Sequence, residues 1–140
     1  MLIESPPSKL ADHANEIERV FGAATVPGIE ARLRDSTANW APIALRAMER
    51  ACPLSLHCTL AAIRRARRCN CVWEALTYEY RFVWHALERR DFAEGIRAAV
   101  IDKDRKPQWT QTSTHQISLA DVAAMFAPLG EHELKERATN

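Results

Sequence analysis

All four cysteines of the sequence lie between residues 52 and 71, with one histidine among them. Cys52, Cys58, Cys69 and Cys71 give one Cys-x5-Cys and one Cys-x-Cys spacing, whereas structural zinc sites use closely paired Cys-x2-4-Cys knuckles. A catalytic thiol needs a base beside it, and adjacent residues on a helix, such as His57 and Cys58, point in different directions. The spacing therefore favours buried free thiols and predicts neither a metal site nor a catalytic residue among them.

Two pairs of acidic residues could in principle supply general acid and base groups. Asp91 and Glu94 have the three-residue spacing of a helix capping box, and Asp102 and Asp104 alternate with basic residues in a charged turn. Acid–base pairs need opposed environments that split their pKa values. We therefore predict that Asp91 and Glu94 cap a helix and that the second pair is solvated.

A basic run, RRARR at residues 64–68, is the only feature that suggests nucleic acid. The formal net charge of the whole chain is +1, so acids elsewhere offset this run. Arginines are also favoured at a helix C-terminus by the helix dipole. The sequence thus predicts a solvated helix end and no nucleic-acid partner, and no run reaches the roughly 18 apolar residues of a membrane span.

Apolar residues recur at helical spacing along most of the chain, whereas an alternating strand pattern is nearly absent, with Ala99 to Ile101 the one short exception. We predict an all-α fold of six to eight short helices, with residues 1–12 a flexible segment and residues 13–137 one helical region. The predicted helix signals are a stop at Gly22, caps at Thr25, Asn70, Asp91 and Ser118 (with Asp121), and starts at Ala41 and Pro53.

The longest helical pattern carries one continuous apolar stripe, made of Val72, Trp73, Leu76, Tyr80, Val83, Trp84 and Leu87. Trp73 and Trp84 lie eleven residues, or three helical turns, apart and so share a face. We predict that this face packs in a core or an interface, and it offers a surface for homo-oligomerisation.

Three segments resemble a known family: CPLSLHCTL at 52–60, LTYEYRF at 76–82 and DFAEGIRAAVIDKDRKPQW at 91–109. They resemble the C-terminal part of 3-hydroxyisobutyryl-CoA hydrolases, a branch of the enoyl-CoA hydratase/isomerase (crotonase) superfamily. The resemblance implies the helical part of a crotonase-like fold without its β/α spiral core. It also implies a parent reaction, in valine breakdown, that hydrolyses 3-hydroxyisobutyryl-CoA to 3-hydroxyisobutyrate and CoA.

The same resemblance implies that the residues of catalysis lie in a glycine-rich N-terminal half that has no counterpart in these 140 residues, which contain only four glycines. We therefore expect no catalytic residue here, no thioesterase activity of the chain alone, and contact with acyl-CoA only together with such a half. No cofactor is expected, since CoA is part of the substrate. Lys103 and Arg105 are candidates for contact with the CoA phosphates.

Two further expectations concern location and an alternative function. The free cysteines and the acidic residues near the start, unlike the Arg-rich pattern of mitochondrial presequences, favour the cytoplasm. The alternative function is a non-catalytic helical oligomerisation or interaction module derived from an enoyl-CoA hydratase/isomerase.

Overall fold

The computed structural model describes Ser8 and residues 10–135 of the chain. These residues form seven α-helices and no strand, which confirms the predicted all-α fold. The helices are α1 (Ala14–Phe21), α2 (Val26–Arg34), α3 (Ala41–Arg50), α4 (Pro53–Ala66), α5 (Val72–Leu87), α6 (Arg90–Ile96) and α7 (Leu119–Ala124). Short 3-10 turns lie at Ala11–His13, Thr114–Gln116 and Gly130–His132.

Several helix starts follow the predicted local chemistry. Thr25 Oγ1 accepts a hydrogen bond from the Gly28 N–H at 3.1 Å, so it caps α2. Ser118 Oγ accepts from the Asp121 N–H at 3.1 Å, and the Asp121 carboxylate accepts from the Ser118 N–H at 2.9 Å. Pro53 begins α4, where its missing N–H removes no helical hydrogen bond. These predictions are confirmed, because each depends on groups within three residues of the helix start.

Two predicted caps and the possible strand are wrong. The N-cap of α5 is Cys71 instead of Asn70, whose backbone N–H donates to the Glu74 carboxylate at 3.2 Å. The N-cap of α6 is Arg89, and no side chain caps that helix. The segment Arg97–Ile101, which contains the possible strand, is π-helical and continues directly from α6. Asp91 and Glu94 do not form a capping box, because Asp91 bonds to Thr110 and Cys52, and Glu94 bonds to Arg97 and Gln108.

The described chain divides into two compact units, with the boundary between Glu49 and Arg50. The predicted division, with residues 1–12 flexible and 13–137 one region, does not contain this boundary; residues 1–7, 9 and 136–137 of that prediction lie outside the described part. Ala11 and Asp12, at the end of the predicted flexible segment, belong to a 3-10 turn. In the first unit, α1 and α2 bury a small apolar core, made of Val20, Ala23, Val26, Ile29, Leu33 and Ala41.

The second unit has a thin core. Leu54, Cys58 and Met125 are buried together with Cys52, and half-buried side chains from α5, α7 and the segment between α6 and α7 pack around them. α4 is the centre of this unit, since it contacts both α5 and α7. No helix in the described part of the chain is long and apolar enough to cross a membrane.

Candidate functional site

The two ends of the segment from Asp91 to Thr110 are hydrogen-bonded to each other, and Asp91 also contacts the start of α4. Asp91 Oδ1 accepts hydrogen bonds from the backbone N–H and from the hydroxyl of Thr110, both at 2.8 Å. The other oxygen of Asp91 accepts from the thiol of Cys52, the N-cap residue of α4, at 3.6 Å. Asp91 therefore joins the starts of α4 and α6 to the end of the segment, instead of capping its own helix.

Arg97 is the electrostatic centre of the segment. Its guanidinium donates two hydrogen bonds to the Glu94 carboxylate, at 2.8 and 2.9 Å, and further bonds to the carboxylates of Asp102 and Asp104. Glu94 also accepts from the Gln108 N–H at 2.7 Å. The hydrogen bonds from Arg97, followed by that from Gln108, lower the pKa of Glu94 to about 2. One cation thus fixes the turn that follows the π-helical segment.

This turn presents Lys103 and Arg105, the two candidates for phosphate contact. Both residues have left-handed backbones, with φ of 58° and 55°, and both side chains are exposed. Such a backbone costs a non-glycine residue on the order of 1–2 kcal/mol, so the surrounding bonds must hold it. Asp102 and Asp104 bond to Arg97, which leaves the basic side chains of the turn facing solvent. The predicted charged turn is present, but its acids are ion-paired.

Gly95 and Trp109 form the close contact of the segment. A Cβ atom placed on Gly95 would lie 3.3 Å from Cη2 of the Trp109 ring. The ring is held in place because its Nε1–H donates to the Arg50 carbonyl at 3.0 Å. Glycine at position 95 therefore permits the close approach of the ring, and Trp109 fixes the end of the segment to the Arg50 carbonyl.

Cys58, His57 and His85 are placed for packing and hydrogen bonding within the fold. Cys58 is buried, and burial raises the pKa of its thiol to about 12, which opposes thiolate formation at neutral pH. His57 Nε2 donates to the Thr114 carbonyl at 3.0 Å, and His85 Nε2 donates to the Ala127 carbonyl at 3.1 Å. Within the described residues, no three His, Cys, Asp or Glu side chains come together as a metal site would require. All four cysteines are free thiols. Cys52 and Cys58 are buried, whereas Cys69 is half-buried and Cys71 is exposed, so the prediction of buried thiols is wrong for the second pair.

The basic run at 64–68 lies where the sequence placed it, at the end of α4. The helix ends at Ala66, with Arg67 as its C-cap. The guanidinium of Arg65 lies over the ring of Tyr78 on α5, 3.5 Å from the ring centroid. Part of the run is therefore used to pack α4 against α5 through a cation–π contact.

The apolar stripe of α5 is only half covered. Trp84 stacks on His132 of the last 3-10 turn, with ring centroids 5.0 Å apart, so part of the Trp73/Trp84 face is occupied within the unit. The exposed members of the predicted stripe are Val72, Leu76, Val83 and Leu87, which are 43–74% exposed. No residue of α5 is buried in the described chain, so the stripe is not part of a core there, and its packing in an interface stays a prediction.

Two apolar grooves run along α5, on either side of Val83. The first, of about 400 Å³, lies between α4 and α5 and includes Ile63 and Tyr78. The second, of about 410 Å³, lies between α5 and the α6–π segment and includes Phe92, Ile96 and Val100. Phe82 and Val83 line both grooves, so the two form one surface, which we call the α5 face.

Two features of this site were not predicted. Arg97 was not singled out, although acids three residues before it and five and seven residues after it are a visible signal. The grooves of the α5 face had no signal of their own, because helical periodicity shows which residues share a face but not whether another element covers it.

Comparison with known proteins finds relatives in the family that the three sequence segments resemble. The enoyl-CoA hydratase/isomerase family profile matches residues 2–126. The 3-hydroxyisobutyryl-CoA hydrolase of Dictyostelium discoideum, described as mitochondrial, is 32% identical over 134 residues, which are 94% of this chain and 35% of the relative. The corresponding human hydrolase, also described as mitochondrial, is 32% identical over 126 residues, 90% of this chain and 32% of the relative. The cytoplasmic location inferred from the sequence stays a prediction.

Solved structures give the same result. An enoyl-CoA hydratase from Rhodobacter sphaeroides superposes with a TM-score of 0.90 at 40% identity, over 96% of this chain and 40% of that protein. A carnitinyl-CoA dehydratase from Mycobacterium thermoresistibile superposes equally well, with a TM-score of 0.90 at 32% identity. The chain thus spans about a third of the length of the curated relatives it matches. Because the family profile matches most of the chain, this chain belongs to the enoyl-CoA hydratase/isomerase family.

Proposed function

We propose that this chain is the C-terminal helical region of an acyl-CoA thioesterase that hydrolyses 3-hydroxyisobutyryl-CoA to 3-hydroxyisobutyrate and CoA. The observation that carries the proposal is the match to 3-hydroxyisobutyryl-CoA hydrolases along nearly the whole chain, at 32% identity, together with the long segment from Asp91 to Trp109. The reaction consumes one water, breaks the thioester C–S bond and returns the thiol as CoA.

The chain alone is proposed to be inactive. Thioester hydrolysis needs donors for the developing oxyanion and a group that activates water. The chemically capable side chains described above are engaged in structural bonds: Asp91 with Thr110, Glu94 with Arg97, and His57 with a backbone carbonyl. The loss of a single oxyanion donor costs about 100- to 1,000-fold in rate, so the loss of the whole arrangement leaves little catalysis.

Lys103 and Arg105 are proposed to approach the CoA phosphates once the rest of such an enzyme is present. The support is their exposure on a turn in which both carboxylates, those of Asp102 and Asp104, accept hydrogen bonds from Arg97 and so already have a partner within the chain. No separate cofactor is proposed, since CoA enters as part of the substrate.

The test compares three proteins in one assay of CoA release from 3-hydroxyisobutyryl-CoA. The first is the 140-residue chain. The second is the Dictyostelium hydrolase without the segment that this chain matches, and the third is a chimera in which this chain replaces that segment. Chromatographic detection of CoA is preferable to a thiol reagent, because Cys71 is exposed and would react.

We expect hydrolysis by the chimera only. Appreciable turnover by the 140-residue chain would refute the proposed inactivity. A chimera that folds, with a cooperative thermal transition, but releases no CoA would refute the proposed role. In an active chimera, Lys103→Ala and Arg105→Ala should raise KM with kcat nearly unchanged, and an unchanged KM would remove these two residues from the proposal.

A further inference from the structure

The second unit exposes more large apolar side chains than it buries. Among its described residues, ten large apolar side chains are at least 40% exposed, against five buried apolar residues, two of which are cysteines and one an alanine. Soluble proteins seldom leave contiguous apolar patches of this kind uncovered, and such patches mark interaction surfaces. Four of the ten, Val83, Phe92, Ile96 and Val100, line the same groove.

The groove is almost free of polar groups that a partner would need to satisfy. Its charged lining residues are Arg89 and Asp91, and Asp91 is already bonded to Thr110 and Cys52. The Trp109 ring closes one end with its own N–H bonded to the Arg50 carbonyl. Covering the groove with an apolar surface therefore leaves few buried polar groups unpaired, whereas a charged or strongly polar partner would lose its hydration for no new bonds.

We infer that the α5 face, centred on Val83, is the surface on which the remaining two thirds of the enzyme docks. This inference rests on the proposed function and names the partner of the region. The occupant is an apolar face of the part of the family fold that this chain does not contain. Its existence in the relatives follows from the coverage, since this fold, at a TM-score of 0.90, accounts for only 40% of the Rhodobacter sphaeroides protein.

The geometry places the docking surface beside the turn of Lys103 and Arg105. The second groove is lined by Ile96 and Val100, and the π-helical segment that holds Val100 runs directly into that turn. The ionic contacts of Arg97 with Glu94 and Asp104 connect α6 to the turn. A partner seated on the α5 face would therefore adjoin the two cations.

The test uses one substitution in two settings. Val83→Asp is made in the 140-residue chain and in the chimera with the Dictyostelium hydrolase described above. Val83 is 52% exposed in the isolated chain, so the substitution should leave its thermal unfolding midpoint nearly unchanged. In the chimera the same aspartate would be buried in an apolar contact. We expect the equilibrium constant for docking to fall at least about tenfold, seen as a lower unfolding midpoint and faster amide exchange in α5 and α6.

The matched control is Leu119→Asp, at the first position of α7. Leu119 is 90% exposed and lines neither groove, and aspartate is favoured in a first helical turn, so this variant should be silent in both proteins. Ile96→Asp, on the opposite wall of the second groove, should repeat the effect of Val83→Asp.

Several results would overturn the inference. One is an equal effect of Val83→Asp in both settings, and another is equal amide exchange of α5 in the chain and the chimera. A concentration-dependent dimer of the 140-residue chain that Val83→Asp dissociates would show that a second copy is the occupant instead. The proposed function is tested separately, because it fails if a folded chimera releases no CoA, whereas the docking measurement needs no activity.

Discussion

The contact between Gly95 and Trp109 allows a prediction in which the same substitution changes sign with its background. Alanine in place of glycine within a helix gains about 0.5–1 kcal/mol, because glycine loses more backbone entropy on folding. At Gly95, however, the new Cβ would lie 3.3 Å from Cη2 and 3.6 Å from Cζ3 of the Trp109 ring. Carbon atoms are most stable at separations of about 3.5–4.0 Å, so the ring must move.

The ring cannot move freely, because its Nε1–H is bonded to the Arg50 carbonyl at 3.0 Å. Overpacking of this kind typically costs about 1–3 kcal/mol, which exceeds the helix gain. We therefore expect Gly95→Ala alone to lower the free energy of unfolding by up to about 2 kcal/mol. In the Trp109→Phe background the distal ring atoms are gone, and Gly95→Ala should then stabilise the chain by about 0.5–1 kcal/mol.

The assay is equilibrium urea unfolding followed by far-UV circular dichroism for the four proteins of the cycle. Trp109→Phe also removes the hydrogen bond to Arg50, but that loss is common to the two proteins that carry this substitution and cancels in the coupling energy. We expect a coupling of about 1–3 kcal/mol between the two positions. A coupling within about 0.5 kcal/mol, the usual limit for independent sites, would refute the reasoning that glycine is required here by the indole ring.

Three further predictions concern single groups. Because the pKa of Cys58 is raised from 9.0 to about 12, its thiolate fraction at pH 8 falls about 1,000-fold, so iodoacetamide should alkylate exposed Cys71 first and Cys58 only on unfolding, as read by peptide mass spectrometry. The pKa of Glu94 is lowered from 4.5 to about 2, so its stabilising contribution is complete above pH 4.5 and is lost as the pH falls toward 2. Glu94→Gln should reduce the change of the urea midpoint with pH across that window, and an unaltered slope would contradict this; a remaining slope is expected from the other carboxyl groups with lowered pKa values, those of Glu16, Asp104, Asp121 and Glu133. Ser118→Ala should destabilise by about 1 kcal/mol and Ser118→Asn by much less, as urea unfolding would detect, because Ser118 caps α7 through its hydroxyl.

The accuracy of the sequence predictions follows the range of the interactions involved. Thr25 and Ser118 were predicted correctly as caps, since a cap and its acceptor lie within one helical turn. Asp91 has the same local pattern, yet its carboxylate bonds to Thr110, nineteen residues away. Asn70 was predicted as the cap of α5, but the N-cap is Cys71, and the backbone N–H of Asn70 bonds to Glu74. The spacing of residues along the chain does not show whether a carboxylate will accept from a nearby backbone N–H or from a distant one.

The same distinction applies to burial. The α5 stripe was predicted with the correct spacing, and α5 does form a single long helix. Whether a core or an interface covers it was left open, and Val72, Val83 and Leu87 are exposed in the described chain. Helical periodicity shows that a face is apolar. It does not show which element covers that face, because this depends on the sequence of the covering element. The turn at Lys103 and Arg105 was likewise predicted as charged, but its left-handed backbone depends on bonds to Arg97.

In the second unit, the polar side chains hold the segment in shape, and the exposed apolar side chains form the proposed docking surface. Asp91, Glu94 and Arg97 have their bonds within the chain, so the segment keeps its shape without help from another surface. The cost of burying a polar group comes mainly from leaving it unpaired, and here that cost is already removed before any partner arrives. What the segment leaves open is the apolar wall formed by Ile96 and Val100, whose burial releases water without breaking a hydrogen bond. A surface of this kind favours a permanent contact over a transient one, which is what the proposed docking requires.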